Sequence, residues 1–143
     1  MSKSGPTQFD RFEVKDSGQR ETLAGGMVRD TEEGKTDYTL IYDGPMLDRW
    51  AEHLTKGAKK YEPRNWMKAG NSTDLDELLK TQARFLRSFL RHQRKWLKNE
   101  MDEDHAAAMV FNLNGYEYIR DCIKAVYAQK ANNLDLGEWT YVD

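Results

Sequence analysis

The chain holds a single cysteine, Cys122, in 143 residues. That excludes an intramolecular disulfide and any paired CxxC zinc spacing, and it fits a reducing cytosol. No apolar run approaches the roughly 18 residues of a spanning helix, and the opening stretch MSKSGPTQFD lacks an apolar signal core. The expectation is a soluble protein of the cytoplasm. There is no GxxxxGKS or GxxxxGKT loop, no GxGxxG and no GxSxG, so the P-loop, the dinucleotide fingerprint and the nucleophile elbow are all missing. Basic excess is missing too. Lys and Arg total 22 against 24 Asp and Glu, a net charge of -2, so the chain as a whole has no electrostatic reason to coat nucleic acid. Internal repeats and low-complexity segments are absent.

What is present is charge and aromatic mass. Charged residues make up 32% and mean hydropathy is -0.89, so the surface is heavily solvated. Four Trp, seven Tyr and five Phe supply material for one domain's core.

Residues 1–22 are polar and aperiodic and read as an extension. Residues 23–44 are glycine-rich and charged. Their run DYTLIYDG reads as a strand or as extended chain, and one such run argues for no sheet. After Pro45, the residues Met46, Leu47, Trp50, Leu54, Ala58 and Tyr61 recur at helical steps for about four turns. Pro63 stops that pattern, and the loop YEPRNWMKAGNST follows. Thr73 or Asp74 caps a second helix, predicted over Leu75–Leu97, with Glu77 placed as in a capping box. Phe85, Phe89, Leu90, Trp96 and Leu97 form its apolar side; Arg84, Arg87, Arg91, Arg94 and Lys98 form a basic stripe. A turn near 99–103 leads to a third helix from about Asp104 to Lys130. Residues 131–143 are a tail whose Leu134, Leu136 and Trp139 pack back or meet another subunit. The fold class is therefore all-α: antiparallel long helices over residues 23–130, with irregular ends.

The chemistry concentrates at EMDEDHAAAMVFN, residues 100–112. Glu100, Asp102, Glu103, Asp104 and His105 crowd the mouth of the third helix. Such a group holds a hard divalent cation: Mg²⁺ through oxygens, or Mn²⁺, which also accepts imidazole. Positions 105, 109, 112, 116, 119, 123 and 126 share one face that turns purely apolar, so His105 and Asn112 are buried and need partners. Glu117, Asp121 and Lys124 lie opposite. A reversal centred near residue 101 or 102 brings His92 level with Asn112 and Trp96 level with Ala107 or Ala108, so that His92, His105 and Asn112 share a polar pocket.

Each feature has a plainer reading. The acids also suit a helix N-terminus, with Asp102 the first choice for a simple cap. His105 and Asn112 also read as satisfied core polar groups, and His92 as a structural imidazole. The arginine stripe is either a solvated face or a phosphate grip, with Arg91 its best member. Arg64, Asn65 and Trp66 contact phosphate and base, or Trp66 anchors a turn. Glu52 reads as surface and Cys122 as core.

Four segments, GGMVRDTEEGKTDYTLI, GPMLDRWAEHLTKGAKKYEPRNW, LRSFLRHQRKW and DEDHAAAMVFN, occur in this order. Together they resemble the phage dATP/dGTP diphosphohydrolase N-terminal domain family, which is linked to all-α MazG-like pyrophosphohydrolases. The resemblance implies metal-dependent cleavage of a (deoxy)nucleoside triphosphate to monophosphate and pyrophosphate. It places Arg29, Asp30 and Lys35 in a first motif and Gly57, Tyr61, Arg64, Asn65 and Trp66 in a second. Arg91, His92 and Trp96 make the third; Glu103, Asp104, His105 and Asn112 make the fourth. Ala108 stands where some family members have a second histidine. The MazG-like ExxE is matched by Glu100 and Glu103. Its ExxD is not, because Glu117 and Asp121 are one residue too far apart.

The expectation is thus a purine-deoxynucleotide (dGTP or dATP) pyrophosphohydrolase working with Mg²⁺ or Mn²⁺. Glu100, Glu103, Asp104 and His105 are the metal ligands. Glu103 and His92 are catalytic; Lys35, Arg64, Asn65, Trp66, Arg91 and Asn112 bind substrate. No stable nucleic acid and no membrane is expected as partner. The aromatic-rich helices suggest a homo-oligomer, a dimer or tetramer, and a phage origin implies the bacterial host cytoplasm. The competing expectation is a non-catalytic phage module that binds nucleic acid or protein through the basic stripe 84–98, with salt-sensitive binding and no metal requirement.

Overall fold

The computed structural model describes residues 13–135, with the chain dividing between Leu40 and Ile41 into two compact units. In the first unit, β1 (Arg20–Thr22) and β2 (Val28–Asp30) pair antiparallel, with Arg20 opposite Asp30 and Glu21 opposite Arg29. Gly26, at φ 89°, supplies the left-handed residue of the connection. The Arg20 guanidinium reaches Asp16 at 2.7 Å and Asp30 at 2.8 Å. Strands of three residues show no legible alternation, which is why the sequence argued for no sheet. The DYTLIYDG run is neither strand nor extended chain. Tyr38–Tyr42 is a 3-10 helix, started by Asp37, whose carboxylate accepts the Thr39 N–H at 2.9 Å.

The second unit is helical. Helix α1 (Met46–Lys60) begins directly after Pro45. Its exit carries two positive-φ residues, Glu62 at 142° and Arg64 at 58°, and leads into a 3-10 helix over Asn65–Gly70. Asp74 caps α2 (Leu75–Leu97) by accepting the N–H groups of Asp76 and Glu77. Helix α2 ends at a Schellman reversal: Asn99 takes φ 57°, its N–H reaches Trp96 O at 3.0 Å, and the Glu100 N–H reaches Lys95 O at 3.1 Å. Helix α3 (His105–Asp135) then runs back along α2. It outlasts the expected end near Lys130, while Leu136 and Trp139 lie outside the described residues.

The reversal at Asn99 comes earlier than a turn centred on 101 or 102. His92 therefore faces His105 rather than Asn112. Trp96 and Leu97 run past the start of α3 and stay half or more exposed, and Leu90 nearly half; the expected packing of Trp96 on Ala107 or Ala108 is replaced by this. Ala107, Ala108, Ile119 and Leu78 are buried instead. Phe111 gathers the elements together, its ring lying 5.4 Å from His53 of α1, 6.4 Å from Trp66 and 6.2 Å from Phe85 of α2. Gly115 leaves room for Phe85 of α2, since a Cβ there would meet the Phe85 ring at 2.3 Å. The fold class is all-α. No helix among the described residues is long and apolar enough to cross a membrane.

Candidate functional site

The acid turn ends on a buried imidazole. His105 is 2% exposed, so both ring nitrogens must find protein partners. Nε2 lies 2.7 Å from Asp102 Oδ1, and Nδ1 lies 2.9 Å from His92 Nδ1. Burial pushes the His92 imidazole below its ordinary pKa, against the opposing pull of the nearby Glu103 charge. His92 is thus held neutral, with a lone pair available to a proton or a metal ion. One donor atom each from His92, Glu103 and His105 lie within 4.8 Å of one another, and Glu100, Asp102 and His105 form a second such group.

Asp104 has a different task from the one expected. Its Oδ1 accepts the Ala107 N–H at 3.0 Å, capping α3. Both of its oxygens also grip the Arg49 guanidinium, at 2.6 and 2.8 Å. That guanidinium is the main reason the carboxyl sits at about 2. Among the described residues Asp104 joins neither donor group, so the cap foreseen for Asp102 belongs to Asp104. Asp104→Ala removes a cap and a half-exposed ion pair. Stability should fall by about 1–2 kcal/mol, read as a lower urea midpoint with an unchanged slope.

A cleft of about 520 Å³ is lined by Asn65, Trp66, Arg84, Ser88, Arg91 and Asn112, among others, with neither imidazole in its described lining. Thr81, Arg84, Ser88 and Arg91 project from one face of α2, and among the described residues no acid lines this cleft. Asn112 is 5% exposed, and its amide nitrogen donates to Ala108 O at 2.8 Å. Its Oδ1 therefore remains an acceptor. Four of the expected substrate residues, Asn65, Trp66, Arg91 and Asn112, are thus brought together from three elements. Arg64 lies elsewhere, on a second cleft of about 480 Å³ that shares Asn65 and Trp66. Lys35 belongs to the first unit, in a turn where its N–H reaches Glu32 O at 2.9 Å. A third cleft, of about 470 Å³, opens onto Glu103 and is lined by His53, Lys56 and Lys60.

The model of the family dATP/dGTP diphosphohydrolase, N-terminal, matches residues 26–116, well over half of the chain. The chain belongs to that family. Comparison with curated proteins and with solved structures gives no match.

Diphosphohydrolase chemistry on a triphosphate calls for a divalent cation. The donors of this family member fit one: two imidazoles and a carboxylate suit Mn²⁺, which prefers oxygen but accepts imidazole, better than Mg²⁺. Trp66 also meets its plainer reading as an anchor, lying edge-on to Tyr118 at 5.2 Å. Glu52 is exposed and paired with Lys56. Four residues escaped the sequence reading: His53, Lys56, Lys60 and Ser88. His53 follows Trp50 by three residues on the inner side of α1, and Ser88 sits between Arg84 and Arg91 at helical steps. Those spacings were the available signals.

Proposed function

We propose that this protein hydrolyses a purine deoxynucleoside triphosphate, dGTP or dATP, to the monophosphate and pyrophosphate. The observation that carries the reading is the convergence of Asn65, Trp66, Arg84, Arg91 and Asn112 on one cleft that no described acid lines, with the donor group of His92, Glu103 and His105 carried by the same α2–α3 hairpin. Membership of the family supports the same substrate class.

In this scheme Arg84 and Arg91 bind phosphate oxygens, and Trp66 offers a ring face and Asn65 hydrogen bonds to the base. A Mn²⁺ or Mg²⁺ held by His92, Glu103 and His105 would neutralise triphosphate charge and lower the pKa of water. The second oxygen of Glu103 would accept a proton. Water attacks the α-phosphorus. The new P–O bond forms as the bond to the bridging oxygen of the β-phosphate breaks, the water proton passes to Glu103, and pyrophosphate leaves.

Incubation with each of the eight common nucleoside triphosphates and Mn²⁺ or Mg²⁺, with products separated by anion exchange, tests this. The expected result is pyrophosphate and a monophosphate, fastest from dGTP or dATP. Orthophosphate with a diphosphate, or no turnover of any of the eight, would overturn it.

A further inference from the structure

We propose that Asp102 is the positioning residue of this site, holding His105 in its Nε2–H form so that the opposite ring nitrogen offers a lone pair to a divalent cation shared with His92 and Glu103. The inference rests on the pyrophosphohydrolase reading for the identity of the cation; the tautomer itself follows from the hydrogen bonds.

An ionised carboxylate only accepts, so the 2.7 Å contact between Asp102 Oδ1 and His105 Nε2 requires the hydrogen to sit on Nε2. The bond to His105 is also the main cause that holds the Asp102 carboxyl below its ordinary range. In the neutral ring, which has one N–H, Nδ1 of His105 is then a lone pair. It takes the Nδ1–H of His92, 2.9 Å away, or a cation, but not both. The ring cannot turn to water for help, because its side chain is 1% exposed.

Asp102 is not taken up as a helix cap. The first turn of α3 is capped by Asp104, and the ammonium of Lys95 stands 4.0 Å from Asp102, too far for a hydrogen bond. Glu100 shares the neighbourhood, but the hydrogen bond to the ring is made by Asp102. A carboxylate behind a ligating histidine fixes the tautomer and raises the basicity of the ligand nitrogen, and its loss typically costs about 10–100-fold in metal affinity.

The experiment uses Mn²⁺ alone, without nucleotide. Binding is followed from the free-ion electron paramagnetic resonance signal in wild type, D102N and D102A. Long-range ¹H–¹⁵N spectra of the metal-free proteins report the His105 tautomer at fixed pH. Wild type should show the Nε2–H form. D102A should lose that preference and bind Mn²⁺ about 10–100-fold more weakly, and D102N, which keeps the acceptor but not the charge, should fall between. Circular dichroism separates this from unfolding; if D102A does not fold, D102N carries the test. A wild-type His105 in the Nδ1–H form overturns the proposal, as does a wild type that takes up no Mn²⁺. So does a folded Asp102 variant that binds as tightly as wild type. Weaker Mn²⁺ binding in the variants of a protein that hydrolyses no nucleotide would leave Asp102 in its role and remove the proposed reaction. Normal hydrolysis with equal Mn²⁺ affinity would do the reverse.

Discussion

Glu103→Gln should lower kcat for dGTP by about 10³-fold with a thermal midpoint close to that of wild type. The two side chains match in size, and Glu103 is exposed on the turn before α3, where surface substitutions usually change stability by no more than about 0.5 kcal/mol. It neither caps α3 nor pairs with Arg49, duties that belong to Asp104. What the amide loses is chemical. It cannot take a proton from water, it is a poor cation ligand, and it removes the charge that pulls His92 toward protonation against burial. Steady-state pyrophosphate release and a thermal melt on the same preparation read both quantities. A kcat within tenfold of wild type would remove Glu103 from the chemistry. A collapsed melt would make it a folding residue instead.

The second large effect is on stability. Phe111→Ala should cost about 3–4 kcal/mol, lowering the thermal midpoint by roughly 10 °C. Its ring meets an aromatic ring from α1, from the 3-10 helix and from α2. Deleting it therefore opens a void at the junction of four elements, with each aromatic pair worth about 0.5–1.5 kcal/mol beyond burial. Neighbours cannot easily close the gap, because Gly115 already lies tight against Phe85. Denaturant unfolding gives the number, and a loss under about 1 kcal/mol would mean that Phe111 is not the junction.

The long helices were legible because periodicity and punctuation agreed. Pro45 opens α1, Pro63 follows its end, and Asp74 caps α2, whose predicted span Leu75–Leu97 is the observed one. The inner face of α3 was legible too: His105, Asn112 and Ile119 are buried along it, while Glu117 and Asp121 are exposed. Register was not, because it depends on one backbone dihedral. Asn99 in the left-handed region turns the chain two residues early, which trades an Asn112 neighbour for His105 opposite His92. Asparagine is a usual occupant of that position, so the clue was present but weak. The division of labour among the acids was illegible for a different reason. Asp102 and Asp104 look alike in sequence, and only the arrival of Arg49, 55 residues upstream, decides which one caps and which one meets the imidazole. The hairpin and both 3-10 helices are too short for any period to emerge.

The early turn also sets where α2 stops supporting its neighbour. With His92 opposite His105 and Phe85 against Gly115, the first residue of α2, Leu75, falls near Ile123. From Lys124 to Asn133 every side chain except Val126 is exposed. That stretch spans about 15 Å at 1.5 Å per residue, held among the described residues mainly by its own backbone ladder and by a Gln129–Asn133 side-chain hydrogen bond. Its end is therefore a matter of fraying equilibrium rather than of packing, and shortening the chain there should leave the bundle and its imidazole pair indifferent.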